Sequence, residues 1–346
     1  MKGLCMLRFL WCLLVCTLAA GSFTYADTHQ QVQAVDEDGY GIHPDLLTFN
    51  KVTVEGIIIN RSDFLLDAAP NQYALYGAGG QWQIYVQGED DDHAGTALWM
   101  GQCYDNIPGG DGTYTDQEWL DEIYRLSHDP LTGYEFAPGD RVKVKGLLKF
   151  YKGKTNINER HSTDTYNDLT IELLEAGVGL PQPEVITLDD VKDGSDNFIF
   201  DSGRLTGCEY YQGRLVKLNN VGFVDANAWG PGAQMEVTDG SKTFPVKLGI
   251  GWGIRPGSNN LTDTFDVVGI LDQESEAYIV CNDGYRIWVT NYDGNGRVLT
   301  DRAYGRYNLP GEINNDGKVD MFDFAWLADN WLECAPGSGG CGGGGN

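Results

Sequence analysis

Two stretches of this chain, "GDRVKVKGLLKF" (139–150) and "DTFDVVGILDQ" (263–273), share a V-x-G-x-L centre. Each stands next to last in a similar series. "KVTVEGIII" (51–59) and "GRLVKLNNVGFV" (213–224) read as long first strands, because apolar residues on alternate positions give a strand one buried face. "NQYALYGAGGQWQIYVQG" (71–88) reads as a hairpin around the glycine turn 77–80, and "QMEVTDGSKTFPVKL" (234–248) as another around Asp239-Gly240. A Lys-Gly turn after the first V-x-G strand leads into a last strand, and "GYRIWVTN" (284–291) closes the second series. The duplicated order predicts two β-domains, at 48–178 and 184–292, after a loose polar leader at 27–47. One helix is predicted, over "TDQEWLDEIYRLSHD" (115–129). Thr115 and Glu118 make a capping box, and Trp119, Ile123 and Leu126 give one apolar stripe suited to core packing.

Five strands with a helix between the third and fourth is the plan of the OB-fold. On "GDRVKVKG", "FDVVGIL" and the hairpin pattern, residues 48–290 resemble the tandem OB-like modules of secreted bacterial proteins, some of which stand beside extracellular nuclease domains. The expected fold class is therefore mainly β: two tandem OB-like barrels followed by a short calcium-loop-plus-helix module. The resemblance is architectural, and it implies no particular ligand. The first half departs from it by an acidic insert near 88–114, and the second by lacking a helix signal in its connector.

Lys2, Arg8, the apolar run "FLWCLLVCTLAA" (9–20) and the small residue Ala26 read as a signal peptide cleaved after Ala26, so the mature chain is expected outside the cytoplasm, secreted or at the cell envelope. No other apolar run reaches the roughly 20 residues that a membrane helix needs. Losing Lys2 and Arg8 leaves 22 basic against 50 acidic residues, a net charge of −28. Five cysteines remain, an odd number. Cys334 and Cys341 flank a flexible "APGSGG", and a Cys208–Cys281 pair would leave Cys103 free; sequence alone does not fix the connectivity. Their spacing is not that of a zinc site.

Three places could carry chemistry in the β-domains. Aromatics including Trp82, Tyr85, Trp99, Tyr151, Trp229, Trp252 and Trp288 could stack on bases or sugar rings in an OB-type groove, with Lys143, Lys145, Lys149, Lys152 and Lys154 adding charge. The groove residues singled out are Lys143, Lys145, Tyr151, Trp82 and Tyr85, and the ligand classes are polysaccharide and single-stranded nucleic acid. The alternative is that the aromatics fill two small barrels and the lysines line an exposed strand. A nucleic-acid groove would work against the repulsive field of the whole chain; a glycan would not. The second place is "GEDDDHAG" (88–95). Its acids could hold calcium, although consecutive acids splay apart, which favours a solvated loop. For catalysis, no nucleophile elbow, zincin, P-loop or Cys/His motif is present, so a non-enzyme is expected.

The most specific motif comes last, in "GEINNDGKVDMFDFAWLADNWL" (311–332). Glu312, Asn314, Asp316, Asp320 and Asp323 fall at positions 1, 3, 5, 9 and 12 of a loop. Gly317 permits the sharp turn at position 6, and Lys318 at position 7 offers its carbonyl. This spacing wraps one loop around a calcium ion. Phe324, Leu327, Ala328 and Trp331 then share one face of the following helix. The stretch resembles a single type I dockerin repeat at 308–333, the unit that docks secreted proteins onto cohesin partners. That resemblance implies calcium as cofactor, with a cohesin-like or envelope protein as partner. Glu312 replaces the usual aspartate, and a Cys/Gly-rich tail (334–346) follows in place of a second repeat. The competing reading is an Asx-rich turn capping a terminal helix without metal. For the whole protein, the expectation is a docked, non-enzymatic exported component; the alternative is an enzyme or accessory binding nucleic acid or polysaccharide through its barrels.

Overall fold

A computed structural model describes residues 26–62, 80–105, 107–225, 234–247 and 264–290, with the backbone of 298–299. The first β-domain comprises β1 (Val52–Ile58), β2 (Gln81–Gln87), β3 (Gly95–Gly101), β4 (Arg141–Tyr151), β5 (Lys154–Asn158) and β6 (Thr170–Glu175). They hydrogen-bond in the order β1-β2-β3-β5-β4-β6, and a β1–β4 pairing closes the first five strands into a barrel. All pairings are antiparallel except β3–β5. The Lys152-Gly153 turn between β4 and β5 has both residues at positive φ, which suits a tight hairpin.

The second sheet repeats the arrangement. Its strands are β7 (Glu184–Ile186), β8 (Leu215–Phe223), β9 (Gln234–Thr238), β10 (Thr243–Lys247), β11 (Phe265–Gln273), β12 (Tyr285–Val289) and β13 (Val298–Leu299). The run β8-β9-β10-β12-β11 returns to β8 through a β11–β8 pairing, and β10–β12 is its parallel contact, the counterpart of β3–β5. The echo between the two V-x-G strands is therefore structural: β4 and β11 hold the same place in the two sheets. In each, alternate residues fill the interior: Val142, Val144 and Leu148 in one, Val267 and Leu271 in the other.

Helix α2 (Asp116–Ser127) lies in the chain between β3 and β4, with Thr115 and Glu118 forming the expected capping box. Trp119 and Leu126 are buried in the first core, and Ile123 packs against it. The connector 248–263 of the second half lies outside the described residues, as does the first arm of the hairpin expected at 71–88. Its second arm, β2, pairs with β3, so "GEDDDHA" is the turn of the β2–β3 hairpin rather than part of an insert.

Two further expectations are corrected. The leader 27–47 lies against the first barrel. In it α1 (His29–Val32) buries His29 and Val32, and the Gln33 amide donates to the Thr155 carbonyl at 2.6 Å. Its polar residues find buried partners, which a reading of composition cannot show. Cys208 and Cys281 are free buried thiols rather than a pair, and Cys103 is buried as well. Cys208 sits in a short helix (Gly207–Tyr210), within the second core, where its thiol donates to the Val191 carbonyl.

The two barrels meet face to face. Ile57, Ile59, Tyr85 and Ala97 of the first pack with Leu215, Ile270 and Trp288 of the second. The backbones come so close at Gly95 and Gly213 that a Cβ on either would lie 2.0 or 2.3 Å from the other's carbonyl oxygen. Only glycine fits there.

Candidate functional site

The residues expected to form one groove go to four different places. Trp82, 2% exposed, points into the first core. Tyr85, equally buried, points the other way and donates from its hydroxyl to Asp272 Oδ1 at 2.7 Å. Trp288 is also buried, and its indole donates to Asp272 Oδ2 at 2.9 Å. β2 is buried along its whole length because the second barrel covers the face that would otherwise meet water. Lys143 and Lys145 lie on the outer face of β4. Lys143 pairs with Glu55 at 3.2 Å and stands opposite Glu172 on β6, so its charge is already answered. Lys154 is buried and pairs with Asp272 at 2.6 Å. Trp229 and Trp252 lie outside the described residues.

Tyr151 alone of the chosen groove aromatics stays at the surface, and it has company. Its ring meets that of Tyr278 at 6.3 Å, and Lys152 lies 5.7 and 5.3 Å over the two rings. On the same hairpin Phe150 packs against Tyr40, 4.5 Å between centroids. Tyr40, Tyr151 and Tyr278 are 42, 36 and 62% exposed, and Ile279 beside them is open to solvent. The Ser275 amide donates to the Lys152 carbonyl, and that of Cys281 to the Asp38 carbonyl, so leader, hairpin tip and second-barrel loop form one surface.

The acids of "GEDDDHAG" diverge as expected. Asp92 caps α1 through the His29 and Gln30 amides, Glu89 pairs with Arg141, and His93 reaches Glu184 at 2.8 Å. They do not converge on one point.

Three acids that sequence reading passed over do converge: Glu122 of α2, Glu159 just after β5, and Asp168 before β6. They offer oxygens all within 4.8 Å of one another, a donor set able to hold a cation. The Glu159 side chain is fully buried. Its Oε2 accepts from the Tyr114 hydroxyl at 2.9 Å and that of Tyr104 at 3.3 Å, while Oε1 has no hydrogen-bond donor. Arg125 serves Glu122 more closely than it serves Glu159. Its guanidinium donates to Glu122 at 2.6 Å and to the Leu169 carbonyl, and stands 3.6 Å from Glu159 and 4.0 Å from Asp168. Burial pushes the Glu159 carboxyl up to about 7 against the Tyr114 hydrogen bond, with Asp168 and Glu122 adding repulsion. Burial likewise raises Asp168, and Arg125 opposes it. Nearby, burial and the Lys149 charge bring the His161 ring down to about 4.

A second buried carboxyl, Asp272, is also one the sequence did not single out, although it is the lone acid at the end of the apolar run "VVGIL". It accepts from Tyr85, Lys154, Trp288 and the Arg286 Nε, the last at 3.2 Å. Burial alone would raise it, yet Lys154 and Arg286 together hold it down to about 2. It is the electrostatic centre of the barrel–barrel contact.

The loop residues Glu312, Asn314, Asp316, Lys318, Asp320 and Asp323, and the helix face of Phe324, Leu327, Ala328 and Trp331, lie outside the described residues. Comparison of sequences bears on the calcium expectation. Eighty-six residues, 25% of this chain, are 30% identical to parvalbumin beta of Boa constrictor and cover 72% of that protein. That quarter of the chain belongs with parvalbumin in the EF-hand family. Parvalbumins are calcium buffers; the match carries nothing about the other three quarters of the chain. No family model matches the sequence. Among the described residues no helix is long and apolar enough to cross a membrane, which says nothing of membrane β-barrels.

Proposed function

We propose that this is an exported, non-enzymatic protein in which a dockerin-like calcium loop docks or anchors two tandem OB-like barrels. The observation that carries the reading is the ligand spacing from Glu312 to Asp323, with glycine at position 6. The EF-hand kinship supports calcium as its ion. Bound calcium would draw Asn314, Asp316, Asp320, Asp323 and the Lys318 carbonyl into one shell. That would start the helix bearing Phe324, Leu327, Ala328 and Trp331 as the face for a cohesin-like or envelope partner. The barrels, fixed to one another at Asp272, would serve as a rigid body that holds this dock at a set distance from whatever the surface binds.

The test is capture of envelope and extracellular proteins on the mature chain, in calcium and in chelator, beside an Asp316→Ala, Asp323→Ala variant. A partner retained only by the intact loop in calcium is the expected result. The same proteins in every lane would refute docking.

A second reading has an observation of its own. The Tyr40–Tyr151–Tyr278 surface suits the faces of sugar rings, and a charge of −28 favours a neutral polysaccharide over nucleic acid. Tyr151→Ala with Tyr278→Ala should abolish retention on such a polymer; unchanged retention would remove this reading.

A further inference from the structure

We propose that Glu122, Glu159 and Asp168 form a second site for a hard divalent cation, calcium by preference, at the edge of the first barrel and independent of the C-terminal loop. Three observations carry it. The first is geometric. Calcium–oxygen bonds run at about 2.3–2.6 Å, so oxygens on opposite sides of one ion stand up to roughly 5 Å apart. The three donor oxygens here all lie within 4.8 Å of one another, and one ion can touch all of them.

The second is an orphan atom. Glu159 is fully buried, and both tyrosine hydroxyls go to its Oε2, which leaves Oε1 in the cluster with no hydrogen-bond donor. A buried polar atom without a partner is costly and rare. The nearest cation, the Arg125 guanidinium at 3.6 Å, spends its short bonds on Glu122 and the Leu169 carbonyl.

The third is charge. The acids here are Glu122, Glu159, Asp168 and Asp164, and the bases are Arg125 and Lys51, whose ammonium donates to the Asp168 carbonyl at 2.8 Å. With every group ionised the cluster carries −2, which one divalent ion balances. The donors are all oxygens, with tyrosine hydroxyls behind them, which suits a hard cation and gives zinc or copper neither nitrogen nor sulfur. Magnesium demands near-ideal octahedral bonds, whereas three acids from three separate elements suit calcium's tolerant shell. Glu122 and Asp168, each partly exposed, give the ion its way in.

Terbium ion tests this, because Tyr104 and Tyr114 stand against Glu159 and would sensitise its luminescence. The full mature chain is used, with Asp316→Ala and Asp323→Ala silencing the tail. We expect saturable tyrosine-excited emission that calcium displaces, and an affinity at least tenfold weaker when Glu159→Gln is added. Calcium should raise the melting temperature of the tail-silenced chain and leave the Glu159→Gln form unmoved. Should Glu159→Gln fail to fold, Asp168→Asn, at the more exposed edge, must give the same loss. Emission absent from the tail-silenced chain, or unchanged by either substitution, overturns the proposal. Neither result depends on whether the tail docks a partner.

Discussion

In chelator, with no divalent ion present, Glu159→Gln should make the protein more stable, by an amount set by pH. The folded chain holds the Glu159 carboxyl at about 7, mainly through burial. An unfolded glutamate titrates near 4.3. The folded state therefore binds this proton more tightly than the unfolded state does. The stability that goes with it is fully present below about 4.3 and is lost as pH rises through about 7. One pH unit of difference is worth 1.36 kcal/mol, so the loss across that window is about 4 kcal/mol. Glutamine has the same shape, stays neutral, and its carbonyl can accept from both Tyr104 and Tyr114. The gap between variant and wild type should thus grow from near zero at pH 4.5 to about 4 kcal/mol at pH 8.5 in favour of glutamine. His161, brought down to about 4, is neutral across most of this range and contributes little. Urea unfolding at a series of pH values measures the gap, and the other titrating groups cancel in the difference. A gap that does not change with pH would mean that water reaches the carboxyl and it ionises normally. A gap of opposite sign would mean that the Arg125 pairing outweighs desolvation, and the account of the cluster given above would fall.

Other perturbations address the contact between barrels. Asp272→Ala leaves Lys154 and Arg286 buried without their anion and should cost about 3–5 kcal/mol, read from denaturant midpoints. In the wild type the stability that Asp272 contributes is present above the unfolded value near 3.9 and drains away as pH falls through about 2, so acid unfolding should be shifted upward in pH by Asp272→Asn. Gly213→Ala drives a methyl into the Gly95 carbonyl from a backbone at φ 76°, and calorimetry should show the single transition broadening or splitting as the barrels part. Trp119→Ala empties the centre of the α2 contact and should cost about 3–5 kcal/mol of the first barrel's stability.

Most of the strands and the helix were legible because each is written in local pattern; β3 was not, since it lies inside the stretch read as an acidic insert. Val142 and Val144 alternate with lysines, and Trp119, Ile123 and Leu126 recur at helical spacing. What was not legible is the second face of β2. "QWQIYVQ" places Trp82, Ile84 and Val86 on one side and Tyr85 with three glutamines on the other, and alternation cannot say whether that other side meets water or a second barrel. Here it meets a barrel, so an apparent groove residue became an interface residue. The leader misled for the same reason: His29 and Gln33 are polar, yet they are spent on Thr96 and Thr155, which lie far along the chain. The acidic cluster drew its members from positions 122, 159 and 168, on three elements, and no motif can span such a set.

Asp272 and Glu159 show what separates the two kinds of buried acid in this fold. Both are removed from water, and burial pushes both upward. Asp272 has two cations of its own, Lys154 and Arg286, together with a phenol and an indole, and is driven below the usual carboxylate range. Glu159 shares one guanidinium with two competing acids and otherwise meets neutral hydroxyls, so it stays high. The first arrangement is complete, and it sits where two rigid bodies must be fastened. The second lacks one positive partner at an atom that faces two more acids, and it sits at the edge of the barrel, where an ion can enter. A chain that needed only stability at that edge could have placed an apolar side chain at position 159, as it did at Ile157 two residues earlier. An acid kept there, short of a cation, is what a site for one requires.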